Sequence, residues 1–115
     1  MTVGRQGEEI ASHYLRRKGY RVVERSFRTR LGEIDLIVAK DNTLVFCEVK
    51  TRLTKKYGEP FEAVTLNKQK RLRKLAELYI TSHVTDFNYR FDVVSIFLDS
   101  QKRLKEIAHI ENAFC

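Results

Sequence analysis

The chain predicts an α/β domain with the element order αβββαββ, helix and sheet packed in layers. Two stretches carry apolar residues at helical spacing, and five others carry the short apolar or alternating runs of strands. The length of 115 residues allows one core and not two, so residues 1–115 read as a single domain. A hydrophobic fraction of 43% suits a globular protein, and no segment has the low hydrophobicity of a disordered tail.

The first helix is expected from about Arg5 to Lys18. Gly19 follows Arg16, Arg17 and Lys18, a good C-terminal signal. Its apolar face holds Gly7, Ile10, Ala11, Tyr14 and Leu15. At about 100° per residue Glu9 points directly away from that face, while Glu8 falls at its margin. Glu8 is therefore the acid expected to look toward the sheet, and Glu9 the solvated one. Tyr20 to Phe27 reads as the first strand. Leu36 to Ala39 and Thr43 to Cys47 mark the next two, joined by the turn-forming Lys40-Asp41-Asn42, which predicts an antiparallel hairpin. Arg52 to Pro60 is a basic loop containing Gly58 and Pro60. The second helix runs from about Leu66 to His83 with Leu72, Leu75, Ala76, Tyr79 and Ile80 inward. Tyr89 to Leu98 and Leu104 to Ile110 complete the chain as two strands.

Asp35 and Glu48 sit inside runs that otherwise read as buried strand. A carboxylate there is costly to desolvate unless a cation or hydrogen bonds compensate it. Side chains alternate along a strand, so Glu48 and Lys50 share a face with Phe46, while Val45, Cys47 and Val49 take the other. In a hairpin Asp35 lies across from Glu48 or diagonal to it, according to register. Two such carboxylates beside a lysine fit a metal site. Oxygen ligands suit a hard cation such as Mg²⁺ or Mn²⁺, which serves phosphodiester hydrolysis by activating water and neutralising phosphate charge. Lys50 would orient or deprotonate that water. The competing reading is an ordinary pair between Glu48 and Lys50, with Asp35 matched to an arginine.

The net charge of +7, from 22 basic and 15 acidic residues, favours polyanionic partners. Nucleic acid is the first candidate; an anionic membrane surface is a weak second, since neither helix joins a basic face to exposed large apolar residues. Nine basic residues lie between Lys50 and Lys74. Arg52, Lys55, Lys56, Lys68 and Arg71 follow the proposed site closely enough for a phosphate backbone held there to pass near Lys50. Arg5, Glu8 and Glu9 interrupt any signal peptide, and no run reaches the roughly 18 apolar residues of a membrane helix. Cys47 reads as a small buried hydrophobe and Cys115 stands apart from it, so a reduced, cytoplasmic protein is expected. His13, His83 and His109 lack paired spacing, which disfavours zinc or triad chemistry.

Gly7-Glu8-x-x-Ala11-x-x-x-Leu15, Gly32-Glu33-Ile34-Asp35-Leu36, Glu48-Val49-Lys50-Thr51-Arg52 and Arg90-Phe91-Asp92-Val93-Val94 together resemble the YraN-type family of small bacterial proteins. That family is regarded as predicted endonucleases, similar to archaeal Holliday-junction resolvases and belonging to the restriction-endonuclease-like PD-(D/E)xK superfamily. The resemblance spans essentially the whole chain. It implies a mixed sheet flanked by helices, with a right-handed crossover from the third strand through the second helix to the fourth. It also implies Asp35 and Glu48 as metal ligands, Lys50 as the catalytic lysine, Glu8 as an added helical acid, and the Val49 carbonyl as a further ligand. Ile34 departs from the superfamily's proline, which takes no part in chemistry. Glu33 and Asp92 match family positions too, and each is open to holding a loop, pairing an arginine or touching metal. The implied substrate is DNA, branched in the resolvase-like case, with 5′-phosphate products and a homodimeric enzyme. The rival reading is a module that binds structured DNA or RNA and cuts nothing.

Overall fold

A computed structural model of the protein describes residues 1–53, 64–83 and 88–114. Its elements are α1 (Val3–Arg17), β1 (Arg21–Thr29), β2 (Gly32–Lys40), β3 (Thr43–Arg52), α2 (Leu66–Ser82), β4 (Asn88–Leu98) and β5 (Leu104–Phe114), in the expected order αβββαββ. Most of the basic loop, with Lys55 and Lys56, lies outside the described residues, as does Cys115.

The five strands form one mixed sheet in chain order. The pairs β1–β2, β2–β3 and β4–β5 are antiparallel, while β3 and β4 run parallel along ten consecutive pairs from Thr43 opposite Asn88 to Arg52 opposite Phe97. A parallel pair needs a long connection, and α2 lies within it. Asp41, at φ 54°, turns the β2–β3 hairpin where the polar stretch predicts it. α1 starts two residues before expectation because Thr2 caps it, its side chain accepting the Arg5 N–H. Gly19, at φ 96°, then lets the chain leave the helix and enter β1.

The helices cover opposite faces. On one, Leu72, Leu75, Ala76 and Tyr79 of α2 pack on Ile34, Ile37, Phe46 and Val93. On the other, Ala11 and Leu15 of α1 pack on Leu36, Val38, Val45, Cys47 and Val94. Val45 and Cys47 thus face α1 and Phe46 faces α2, as strand alternation requires. Leu75 is fully buried, and truncating such a leucine costs about 3 kcal/mol. Among the described residues no helix is long and apolar enough to cross a membrane.

Candidate metal centre

The β2–β3 ladder runs from Lys40 opposite Thr43 to Leu36 opposite Cys47 and ends there. Beyond it β3 stays paired to β4 as far as Arg52, so β2 parts from a strand that is still held on its other side. The next step of the register would set Asp35 opposite Glu48. The Asp35 side chain replaces that ladder bond: its Oδ2 accepts the Val49 N–H at 2.8 Å. A cleft of about 360 Å³ opens at this split, lined by Gly32, Glu33, Asp35, Glu48, Lys68 and Arg71 and backed by Leu72 and Leu75.

Two glycines set its walls. A Cβ on Gly7 would lie 1.8 Å from Thr51 Oγ1, so only glycine lets α1 approach the end of β3 this closely. The next residue, Glu8, is thereby brought to the split from the α1 side. Gly32 has φ 135°, and a Cβ there would come 3.2 Å from Arg71 Cδ. That approach seats Arg71 against the start of β2, beside Glu33.

The site is crowded with negative charge. Carboxylate oxygens of Glu8, Glu33 and Asp35 all lie within 4.8 Å of one another. Burial raises the Asp35 pKa first; the charge of Glu48, a hydrogen bond between the two carboxyls and the charge of Glu8 raise it further. The Val49 N–H opposes this, and the result is pushed up to about 8. Burial and then Glu33 raise Glu8, against the pull of Arg5, Arg28 and Arg25. Glu48 is only 6% exposed and forms an ion pair with Lys68 from the first turn of α2. Lys50, on the same strand face as Glu48, is lowered mainly by burial; Glu48 works against that, and Lys68 and Arg52 add to it.

Asp35, Glu48 and Glu8 therefore converge on one split in the sheet, and Lys50 follows Glu48 two residues along β3 and feels its charge. Val49 contributes its N–H to Asp35. Arg71 lines the cleft, Arg52 ends β3 next to Lys50, and Lys68 reaches in to Glu48 rather than standing on an outer phosphate-facing surface. Glu9 is not simply solvated: it pairs with Arg25 of β1, because α1 lies over that strand. Glu33 joins the acids while also pairing with Arg28 at 2.7 Å. Its place two residues before Asp35 on a strand was the available signal, since period-2 alternation puts both on one side.

Asp92 lies elsewhere, on the α1 face of β4. It is fully buried and accepts from Arg90 Nε at 2.9 Å, His109 Nε2 at 2.7 Å and the Asn112 N–H at 2.9 Å. Burial opposes its ionisation, but the hydrogen bonds from His109, Arg90 and Asn112 outweigh it and hold the carboxyl below its usual range. Of the readings open to Asp92, pairing an arginine is the one this arrangement fulfils.

Residues 7–96 match the protein-family profile described as "Uncharacterised protein family UPF0102". Similar proteins include one from Syntrophomonas wolfei, 50% identical over 113 residues that span 97% of this chain and 96% of the relative. Another, from Chloroherpeton thalassium, is 47% identical over 118 residues, 96% of this chain and 92% of the relative. A third, from Caldanaerobacter subterraneus subsp. tengcongensis, is 44% identical over 115 residues, 98% and 94% respectively. All three are called UPF0102 proteins.

Proposed function

The chain belongs to the UPF0102 family, and from that premise we propose that it is a metal-dependent endonuclease of the restriction-endonuclease-like class acting on DNA. The observation that carries this reading is Asp35: a half-buried carboxyl pressed against Glu48 and Glu8, with the Val49 N–H as its compensation among the described residues. Such an arrangement disfavours the ionised form until a cation arrives.

The donor set fits a hard divalent cation. Asp35, Glu48 and Glu8, with Glu33 beside them, offer carboxylate oxygens only, the ligands that Mg²⁺ and Mn²⁺ prefer. When bound, the cation supplies Lewis-acid activation of water and neutralises phosphate charge. The side chains do the rest. Asp35 is fixed by the Val49 N–H and Glu48 by its place in the paired part of β3, so both are held rigidly for a ligand. Lys50 Nζ lies on the Glu48 side of the strand, and its lowered pKa brings it closer to taking a proton from the attacking water. That water's oxygen bonds to phosphorus as the bond to the leaving oxygen breaks, and the ammonium offsets charge that develops on the phosphoryl oxygens. Arg71, which lines the cleft, and Arg52, at the end of β3, would position the backbone without reading bases.

The test is cleavage of labelled linear, flapped and four-way DNA in Mg²⁺, Mn²⁺ or chelator. Parent protein is expected to cut at least one substrate with metal and none in chelator. Glu48→Ala should lose metal binding and cleavage together; Lys50→Ala should lose cleavage and keep Mn²⁺ binding. Firm DNA binding with no cleavage under any metal would replace the enzyme by the binding module.

A further inference from the structure

Lys68 is the residue whose observed partner differs most from what a surface lysine of a nucleic-acid-binding helix should have. It sits in the first turn of α2, its N–H accepted by the capping Thr65 hydroxyl at 3.2 Å. Its side chain is 41% exposed, yet its ammonium is turned inward onto Glu48, which with Asp92 is a buried acid among the described residues. Glu48 has a cation already and Glu33 pairs with Arg28, whereas Glu8 and Asp35 face each other and Glu33. The cleft on which Lys68 borders also holds Arg71, locked against Gly32.

We propose that Lys68 is an exchangeable counter-ion: it neutralises Glu48 while the site is without metal, and a divalent cation displaces it into the cleft, where it joins Arg71 as a phosphate ligand. The inference rests on the metal-dependent reading above. Its physical basis is that one carboxylate oxygen cannot serve an ammonium and a small divalent ion in the same direction, while leaving Glu48 buried without either is strongly disfavoured. The ammonium is the group free to move, because Lys68 has four rotatable bonds and reaches solvent whereas Glu48 is fixed in a paired strand. The 360 Å³ cleft gives the released ammonium polar space near the position a phosphate would take. Metal binding and grip on the polyanion are thereby coupled: the cation that completes the acids also frees a positive charge for the substrate. Lys68 is in this sense a positioning residue, acting on the site through Glu48.

Calorimetric titration of Mn²⁺ into parent, Lys68→Ala and Lys68→Gln tests the exchange without relying on turnover. Removing the competitor should tighten Mn²⁺ binding by roughly five- to tenfold, the lower range of ordinary coupling between ligands. Lys68→Gln guards against a fold defect in Lys68→Ala, since the amide still donates a hydrogen bond to Glu48. In parallel, the loss of affinity for a short duplex on Lys68→Ala should be larger in Ca²⁺ than in chelator, because only the metal-loaded parent has the ammonium to offer. Mn²⁺ affinity unchanged or weakened in both variants overturns the proposal, as does an equal DNA-binding loss with and without Ca²⁺. Failure of the underlying reading looks different: no Mn²⁺ uptake by any of the three proteins, the parent included.

Discussion

Asp92 and Asp35 stand on strands of one sheet, each within an apolar run, and are held in opposite ways. Around Asp92 the fold supplies Arg90 from the same strand, His109 and the Asn112 N–H from β5, and Arg90 in turn reaches the Tyr20 hydroxyl and Glu111. Hydrogen bonding to Asp92 raises Arg90 above its already high pKa, and the aspartate is lowered below its own usual range. Around Asp35 the described residues supply one N–H and three acids, Glu8, Glu33 and Glu48, and the carboxyl is pushed up to about 8. The first arrangement locks β5 to β4 and closes a core; the second carries an electrostatic cost that no purely structural role explains. A buried charge compensated from three directions is architecture. One left against like charges is a place kept for a ligand.

The sharpest way to break this contrast is to neutralise each aspartate in turn. Asp92→Asn should destabilise the protein by about 3 kcal/mol, because Arg90 and His109 lose the charge they surround. Asp35→Asn should leave the chelated protein as stable as the parent or slightly more so, since it relieves repulsion. Urea unfolding of both, in chelator, decides it. A strongly destabilising Asp35→Asn would make Asp35 a structural residue like Asp92.

Metal should separate the two aspartates next. Divalent cation at ten times its dissociation constant stabilises a protein by about 1.4 kcal/mol. Thermal unfolding in Mg²⁺ against chelator should show that gain in the parent and in Asp92→Asn, and lose most of it in Asp35→Asn. An undiminished gain in Asp35→Asn would move the metal away from the β2–β3 split.

A slope with pH is the subtlest signature. Asp35 titrates near 4 in the unfolded chain and at about 8 in the fold, so between those values the folded state binds the extra proton. Stability in chelator contributed by this group is therefore complete below about 4 and declines as pH rises toward about 8. Asp92 runs the other way: its contribution is present above about 4 and is lost as pH falls through its lowered folded value. Unfolding midpoints of the parent measured across this range should drop on the alkaline side, and Asp35→Asn should flatten that drop. Parallel profiles for parent and mutant would deny Asp35 its raised pKa.

The same pair shows what a sequence exposes and what it hides. The inward set of α2 was legible because Leu72, Leu75, Ala76 and Tyr79 recur at helical spacing, and burial follows that spacing. The faces of β3 were legible for the same reason at period 2. The ends of the edge strands were not: β5 continues past Ile110 to Phe114 through Glu111 and Asn112, polar residues that an edge strand tolerates and an alternation rule discards. At the site, the carboxylates stood out against apolar runs, whereas the register did not. The ladder stops at Leu36 because Asp35 takes the Val49 N–H, a side-chain event that no strand pattern encodes. Arg90-x-Asp92 was visible as two residues on one strand face, but His109 and Asn112 arrive from β5, so the compensation of Asp92 depends on contacts remote in sequence. The turn of Lys68 toward Glu48 was hidden in the same way, since α2 and β3 meet only in the fold.

The most direct measurement is a calorimetric titration of Mn²⁺ near neutral pH into the parent, Asp35→Asn and Asp92→Asn, the last at a temperature where it is folded. Saturable uptake by the parent and by Asp92→Asn, and none by Asp35→Asn, is the expected result. Uptake by Asp35→Asn equal to that of the parent, or no uptake by the parent, would contradict a metal centre built on Asp35.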